Sequence, residues 1–397
     1  MKKKILLFLV IVLSLNMRAQ YLSFGDSTQI SLITCAPGKE VYERFGHSGV
    51  RLFDPVSKLD VVFNYGIFSF QTDNFILKFI KGETDYYLGV VPTNMFLPEY
   101  QSRNSNVWEQ VLNLTPREKQ KLIESLLENF KPENRKYRYN FVFDNCATRP
   151  RDKILSAVSG YVRYDKTDVK TFRQWIDAYL GNSWTKFGID LLLGKDADTD
   201  ATRFESFFLP EELMHAFESA KITEKGTKNE KPLIVERRLL VSAEKEATVR
   251  PGLFDNPVFV FYLLMILGIG LSVLEVIKRK YFVVVDSMLL VVTGLAGLIV
   301  FYLSFFSVHP LVKMNLNILW LNPVNIVAGI LILFRKMQRP LFFYQLLNII
   351  LIGLAMLVLA LSIQSFNSAV FPILVLLLVR YSNWVFRTKR MLYKRPF

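Results

Sequence analysis

The run VFVFYLLMILGIGLSVLEVI at residues 258–277 decides the fold, because it is apolar enough and long enough to cross a lipid bilayer. Further apolar runs of spanning length follow at residues 281–306, 317–334, 341–363 and 370–386. The last run is short and carries Arg380. The sequence therefore predicts an all-α membrane domain at residues 253–397, with about five transmembrane helices.

The basic residues of the chain follow these apolar runs. The formal net charge is +14, and three clusters of lysine and arginine come after the first, third and fifth runs. They are Lys278, Arg279 and Lys280; Arg335, Lys336 and Arg339; and Arg387, Lys389, Arg390, Lys394 and Arg395. Lysine and arginine mark the cytoplasmic ends of membrane helices. The charge therefore indicates membrane topology, with the N-terminal half outside, and not a nucleic-acid partner.

Residues 1–19 have the pattern of a secretory signal. A basic start precedes an apolar run at residues 5–15, and a short polar patch ends at Ala19. Cleavage after Ala19 is one prediction, and an uncleaved anchor is the other, because Met17 is large for its place before the cut. In both cases residues 20–220 form an exported domain. Residues 221–252 are rich in charge and predict a linker or stalk.

Local patterns in the exported domain predict both strands and helices. Residues 45–53 and 61–68 read as a β-hairpin joined at a polar turn. A helix begins at Thr115, because Thr115 and Glu118 have capping-box spacing, and it ends at a Lys-Pro step. These patterns indicate an α+β fold.

Two more elements frame Cys146. Residues 136–143 alternate between aromatic and polar side chains and predict a strand that leads towards this cysteine. A second helix is expected just after it, starting at Thr148 if Pro150 is to lie in the first turn. Cys146 is therefore predicted to lie at the N-terminus of a helix.

Few residues of the exported domain can supply a nucleophile and a base. It holds two histidines, His47 and His215, and the chain has two cysteines, Cys35 and Cys146. A helix N-terminus stabilises a thiolate, and Arg149 and Arg151 add positive charge near Cys146. His47 lies mid-strand between small residues. A thiolate at a helix start that faces an imidazole on a strand is the papain-type arrangement, here with histidine before cysteine, as in permuted NlpC-type members.

Structural readings of the same residues stay open. Cys35 and Cys146 could form a disulfide in an oxidising compartment, and both could instead be buried and inert. A catalytic pair also needs a polar group to orient the imidazole. The hairpin symmetry places Asn64 or Tyr65 opposite His47. We predict that Asn64 is the orienting group; the alternative is that Asn64 merely ends a strand.

The sequence contains two further polar clusters. The alternating aspartates at positions 196, 198 and 200 resemble a calcium loop, but Ala201 and Phe207 stand where its glycine and glutamate belong, so no metal is predicted. Polar residues also gather at the outward end of the third apolar run, where they mark either function or interfacial anchoring. They are His309, Asn315, Asn317, Trp320, Asn322 and Asn325.

Several strings of the sequence resemble the Lnb-type family of membrane proteins. They are Thr34-Cys35-Ala36-Pro37-Gly38, Tyr42, Phe45-Gly46-His47, Arg51, Phe63-Asn64-Tyr65-Gly66, Phe75, Phe79, Gly82, Tyr86 and Asp144-Asn145-Cys146-Ala147-Thr148-Arg149-Pro150-Arg151-Asp152. His309-Pro310, Asn315-Leu316-Asn317 and Trp320 resemble the membrane half of the same family. The resemblance covers nearly the whole chain.

The resemblance implies a lipoprotein N-acyltransferase in the bacterial inner membrane, with its catalytic domain in the periplasm. A phospholipid would be the acyl donor, a diacylated lipoprotein the acceptor, and no cofactor would be needed. Cys146 would be the nucleophile and His47 the base, and Asn145 would support the oxyanion with the Cys146 N–H. Arg149 and Arg151 would hold a phosphate or make salt bridges, and His309 and Asn317 would meet substrate.

Rival functions use the same residues differently. A lipase or a cell-wall peptide hydrolase of this fold would pass the acyl group to water, although a wall hydrolase has no need of membrane spans. A non-enzymatic membrane chaperone or scaffold would leave His47 and Cys146 purely structural.

Overall fold

The computed structural model describes residues 24–71, 73–224, 226–227, 229–244 and 252–393. The predicted signal at residues 1–19 lies outside these ranges, as do Lys394 and Arg395 of the last basic cluster.

The exported domain is built on an antiparallel seven-stranded sheet. Its strands are β1 Gln29–Cys35, β2 His47–Asp54, β3 Leu59–Ile67, β4 Asp85–Pro92, β5 Val107–Leu112, β6 Lys136–Arg138 and β12 Ile234–Val241. Their order in the sheet is β12-β5-β1-β2-β3-β4-β6. The short strands β7 Tyr161–Arg163, β8 Lys170–Thr171, β9 Asp200–Ala201, β10 Lys221–Thr223 and β11 Glu230–Pro232 form two small sheets, β11-β10-β7 and β8-β9.

The described residues of the exported domain include seven α-helices, some of which cover both faces of the main sheet. They are α1 Phe75–Lys81, α2 Thr93–Ser102, α3 Pro116–Phe130, α4 Thr148–Ala157, α5 Phe172–Asp177, α6 Trp184–Leu192 and α7 Pro210–Ser219. Apolar side chains of α3, α4 and α7 form the main core with Leu32 and Phe63 of the sheet. Phe96 and Tyr100 of α2 pack against Val62 on the other face. This confirms a mixed α and β domain.

The predicted hairpin and the predicted α3 are both confirmed. Strands β2 and β3 pair with Gly49 opposite Asn64, and the Asp54 carboxylate accepts a 2.8 Å hydrogen bond from the Ser57 N–H in the turn. At α3 the Glu118 N–H donates to the Thr115 hydroxyl, and the Thr115 N–H donates to the Glu118 carboxylate. Local side-chain chemistry therefore fixes both elements.

Two expectations for the exported domain are wrong. The strand predicted at residues 136–143 stops after Arg138, because the Asn140 side chain accepts hydrogen bonds from the N–H groups of Val142 and Phe143 and turns the chain. The linker predicted at residues 221–252 holds three strands instead, and β12 pairs with β5 at the sheet edge. Its charges lie on exposed strand faces, which hydropathy cannot distinguish from a linker.

The membrane half contains α8 Pro257–Lys278, α9 Val283–Phe306, α10 Asn325–Leu331, α11 Gln338–Ala360 and α12 Val370–Tyr393. Within the described residues, four helical segments are long and apolar enough to cross a membrane: α8, α9, α11 with the turn before it, and α12. The third predicted span, 317–334, is not a continuous helix. It consists of the 3-10 turn Leu316–Leu319, a bend at Pro323 and the short α10.

The broken segment packs along α9. A Cβ on Gly297 would meet the backbone of Leu321, and a Cβ on Gly329 would meet the backbone of Ser287. The segment therefore runs antiparallel to α9. Its bend has a local cause, since Pro323 has no N–H and the Asn322 side chain accepts a hydrogen bond from the Val324 N–H.

The charge of Arg380 in α12 is balanced by carboxylates inside the bundle. Arg380 is 1% exposed and pairs with Glu275 of α8 at 2.9 Å and with Asp286 of α9 at 2.8 Å. A buried guanidinium is tolerated only when it is paired in this way. The three groups tie α12 to two neighbouring helices.

Candidate active site

His47 and Cys146 meet at one end of the main sheet. His47 opens β2, Cys146 lies just before α4, and Gly66 near the end of β3 lies between them. A Cβ built on Gly66 would lie 3.4 Å from Cβ of Cys146 and 3.9 Å from Cε1 of His47. Gly66 has φ +91°, which favours glycine. The bare backbone there leaves space beside the two side chains.

Asn64 contacts the imidazole, as the sequence predicted. Its Oδ1 accepts a 2.7 Å hydrogen bond from Nε2 of His47. Asn64 lies opposite Gly49, two residues along β2 from His47, so the contact is diagonal across the hairpin. An imidazole that donates from Nε2 has Nδ1 left to face the thiol.

The two reactive groups shift each other's pKa. Burial alone would raise the pKa of Cys146, but the charge of His47, its hydrogen bond and the Ser48 N–H together lower it. Burial alone would lower the pKa of His47, but the charge of Cys146 and hydrogen bonds from Cys146 and Asn64 raise it. Both directions favour a thiolate–imidazolium pair.

The second cysteine does not pair with the first. Cys35 and Cys146 are both free, so the alternative of a disulfide between them is not realised. Cys35 is fully buried, and burial raises its pKa far above that of an ordinary thiol. Cys35 is therefore a core residue, and Cys146, which is partly exposed, is the reactive candidate.

Asn145 shapes the cysteine loop and has no donor left for an oxyanion. Its side-chain oxygen accepts from the N–H groups of Ala147 and Thr148, at 2.8 and 2.9 Å. Its NH₂ group donates to the carbonyls of Phe141 and Phe208, and its own N–H donates to the Thr148 hydroxyl. Every donor of Asn145 is therefore engaged within the protein, which favours support of the cysteine loop over direct donation to an oxyanion.

Arg149 and Arg151 are committed to protein partners. Arg149 makes a two-pronged salt bridge with Asp144 and stacks over the Tyr137 ring, 3.6 Å from its centroid. Arg151 is buried and pairs with Asp152. The salt-bridge alternative describes both arginines better than phosphate binding does.

Tyr137 is a site residue that sequence reasoning missed. Its hydroxyl lies 3.9 Å from the same Cβ position on Gly66 that adjoins His47 and Cys146. The hydroxyl is buried and has no hydrogen-bond partner within the described part of the chain. Burial and the nearby Cys146 raise the pKa of Tyr137, so the phenol keeps its proton at neutral pH. The only sequence signal was its place in an alternating strand.

His309 and Asn317 lie where the two halves dock, and not beside Cys146. The His309 ring contacts the Phe79 carbonyl of α1 through Nε2 at 2.8 Å. Asn317 is 1% exposed and donates to the Leu191 carbonyl of α6, while its oxygen accepts from the Trp320 indole. His309 and Asn317 therefore hold the exported domain on the membrane half, which differs from the interfacial anchoring that the sequence left open. Asn325 of the same predicted cluster bonds instead to Thr293 and Tyr344 within the membrane half.

A buried ionic network that the sequence did not reveal completes this docking surface. Arg173 is 3% exposed and pairs with Asp190 and with Asp198. Asp190 also accepts a 2.8 Å hydrogen bond from Asn367, which precedes α12. The exported domain is thus fixed to the outward ends of the membrane helices. Within the described residues, no group of three or more histidine, cysteine, aspartate or glutamate side chains is placed to hold a metal ion.

Comparison with known proteins gives two family-model matches. The model described as Lnb N-terminal periplasmic domain matches residues 20–178. The model described as Lnb transmembrane domain matches residues 249–391. No curated protein and no solved structure matches the chain.

Proposed function

The chain belongs to the Lnb family of multi-pass membrane proteins with a periplasmic N-terminal domain, and on that premise we propose that it is a lipoprotein N-acyltransferase. The chain would lie in the bacterial inner membrane. It would move an acyl chain from a phospholipid to the α-amine of a diacylglyceryl-cysteine. The observation that carries the proposal is the contact of Cys146, His47 and Asn64 in a domain docked on the membrane helices.

We propose that the exported domain is a permuted papain-like fold. The support is the reactive thiol at the start of a helix, which faces an imidazole on an antiparallel sheet, with an asparagine on the far ring nitrogen. The histidine precedes the cysteine in the chain, as the permuted order requires.

The first half-reaction would form a thioester. The Cys146 thiolate attacks the ester carbonyl of the phospholipid, and an S–C bond forms as the C–O bond to glycerol breaks. The His47 imidazolium gives its proton to the departing glycerol oxygen, and a lysophospholipid leaves. The Cys146 N–H and the Tyr137 hydroxyl, which has no hydrogen-bond partner among the described residues, are the donors proposed to stabilise the oxyanion.

The second half-reaction would release the acyl group to an amine. The free α-amine attacks the thioester carbonyl, an amide N–C bond forms and the C–S bond breaks. His47, now neutral, takes the proton that the amine loses, and Cys146 leaves as the thiolate. The starting ion pair is restored.

An aromatic surface supports access from the membrane. Phe68 stacks on Phe75 with ring centroids 5.5 Å apart, Phe75 stacks on Phe79, and Phe79 meets the His309 ring edge-on. Phe68 follows Gly66 by two residues in sequence. The row therefore leads from the site to the membrane half, which suits apolar substrates.

Mass spectrometry of lipoprotein N-termini in cells tests the proposal. We expect Cys146→Ala and His47→Ala to abolish N-acylation, and Cys35→Ala, the matched control at the other cysteine, to retain it. Full N-acylation in both site variants, with the protein present in the membrane, would refute the proposal. Release of free fatty acid without amide formation by the purified protein would instead identify a lipase.

A further inference from the structure

A cavity of about 390 Å³ lies between the exported domain and the membrane helices. Its lining combines α6, the span α9 and the turn before β2. The main contributors are Val41, Trp184, Gly188, Ile189, Ile299 and Val300.

The chemistry of the cavity wall excludes most ligands. The lining side chains are almost all apolar, and the indole N–H of Trp184 is already bonded to the Phe254 carbonyl at 2.9 Å. Water in a cavity needs two or more polar partners, so an apolar cavity stays dry and takes apolar molecules. The apolar wall therefore suits a hydrocarbon, and the volume of the cavity lies in the range of small-ligand pockets.

The surroundings of the cavity identify the hydrocarbon. Ile299 lines the cavity and is 51% exposed on the outer surface of a transmembrane helix, where it faces lipid. Its neighbours Leu295 and Leu298 are exposed to a similar degree. Acyl chains of the bilayer thus lie directly beside the opening.

The cavity also adjoins the chain segment that carries the catalytic histidine. Val41 lies in the short turn Val41–Glu43 that leads into β2, which His47 opens. Phe45 in the same segment packs against Phe141, 4.8 Å between ring centroids, in the loop before Cys146. A molecule in the cavity therefore touches the turn that leads to His47, and that segment in turn packs against the loop before Cys146.

We propose that this cavity binds one acyl chain of an outer-leaflet phospholipid and holds it beside the site. The transfer of that acyl chain to Cys146 rests on the proposed acyltransferase function, but the binding of the acyl chain in the cavity does not. Gly188 lines this cavity and borders open space, because a Cβ added there meets no atom within 4 Å.

The test fills the cavity in the full chain. Gly188→Leu adds a side chain into open space, and leucine favours the helical state over glycine, so folding is retained. Gly353→Leu is the matched control, since Gly353 is exposed on the lipid-facing side of α11 and also has no neighbour within 4 Å of its Cβ. Thermal melting and the alkylation rate of Cys146 report folding in each variant.

Each protein is placed in nanodiscs of phosphatidylethanolamine and phosphatidylglycerol that contain phosphatidylethanolamine with a diazirine in its acyl chain. After illumination, we expect wild-type and Gly353→Leu to be cross-linked within residues 184–192 or 296–300. Gly188→Leu should lose that cross-linking about tenfold, because excluding about two methylenes lowers affinity by that factor. The rate of acyl transfer from long-chain donors, divided by the rate from short-chain donors, should fall by a similar factor in Gly188→Leu. The same ratio should stay at the wild-type value in Gly353→Leu.

Equal cross-linking in Gly188→Leu and wild-type, or none in these segments of wild-type, would overturn the acyl-chain site. If cross-linking changes as expected but no variant, nor wild-type, transfers an acyl group, the lipid site stands and the acyltransferase function is wrong.

Discussion

Replacing Tyr137 with phenylalanine tests whether the Tyr137 hydroxyl is catalytic or structural. The substitution removes one oxygen and keeps the ring that Arg149 covers at 3.6 Å. The hydroxyl is buried and has no partner among the described residues, and such a group costs about 1–3 kcal/mol. We therefore expect the variant to be at least as stable as wild-type.

The same substitution should slow the reaction. Loss of one preorganised oxyanion donor lowers the rate by about 10²–10³-fold, or about 2.7–4 kcal/mol of transition-state stabilisation. The assay is transfer from phospholipid in nanodiscs to a synthetic diacylglyceryl-cysteine peptide, followed by mass spectrometry, with thermal melting measured on the same samples.

Tyr65→Phe is the matched control with the opposite signature. The Tyr65 hydroxyl donates to Asn129 at 2.9 Å, so its removal should lower the free energy of unfolding by about 1 kcal/mol and leave the rate unchanged. A Tyr137→Phe protein that is folded and transfers acyl groups within twofold of wild-type would refute the oxyanion role.

Substitutions at His47, Asn64 and Arg380 test the electrostatics of the site and of the bundle. His47→Ala should raise the pKa of Cys146 and slow its alkylation at pH 6 to 7 by roughly tenfold or more, because the wild-type thiolate persists below the usual thiol pKa; an unchanged rate would contradict the ion pair. Asn64→Ala removes a hydrogen bond that raises the pKa of His47, so the basic limb of the pH–rate profile should move to lower pH. Asn64→Asp should move the same limb to higher pH. A profile that moves in neither variant would argue against Asn64 as a positioning residue. Arg380→Met leaves two buried carboxylates unpaired and should destabilise the membrane domain by about 3–5 kcal/mol, measured as a lower melting temperature in detergent, whereas the exposed control Arg335→Met should melt like wild-type.

Signals that depend on nearby residues were sufficient for much of this protein. Hydropathy and the basic clusters located the membrane half, and a capping box placed α3. Scarcity of histidine and cysteine in the exported domain pointed to His47 and Cys146, and hairpin symmetry put Asn64 within reach of the imidazole. For the membrane spans, α3 and the hairpin, the information lies within one element or one turn, where periodicity and capping act.

Only the tertiary structure decided which polar groups remain free for chemistry. The side-chain donors of Asn145 are engaged partly by the Phe208 carbonyl, 63 residues away, and Tyr137 is a candidate because nothing in the described fold satisfies its hydroxyl. Likewise β12 belongs to the sheet because it finds β5 across the domain. A hydrogen bond between groups far apart in the chain leaves no local periodicity. The sequence therefore supplied the candidate pair, His47 and Cys146, and three-dimensional packing determined its surroundings.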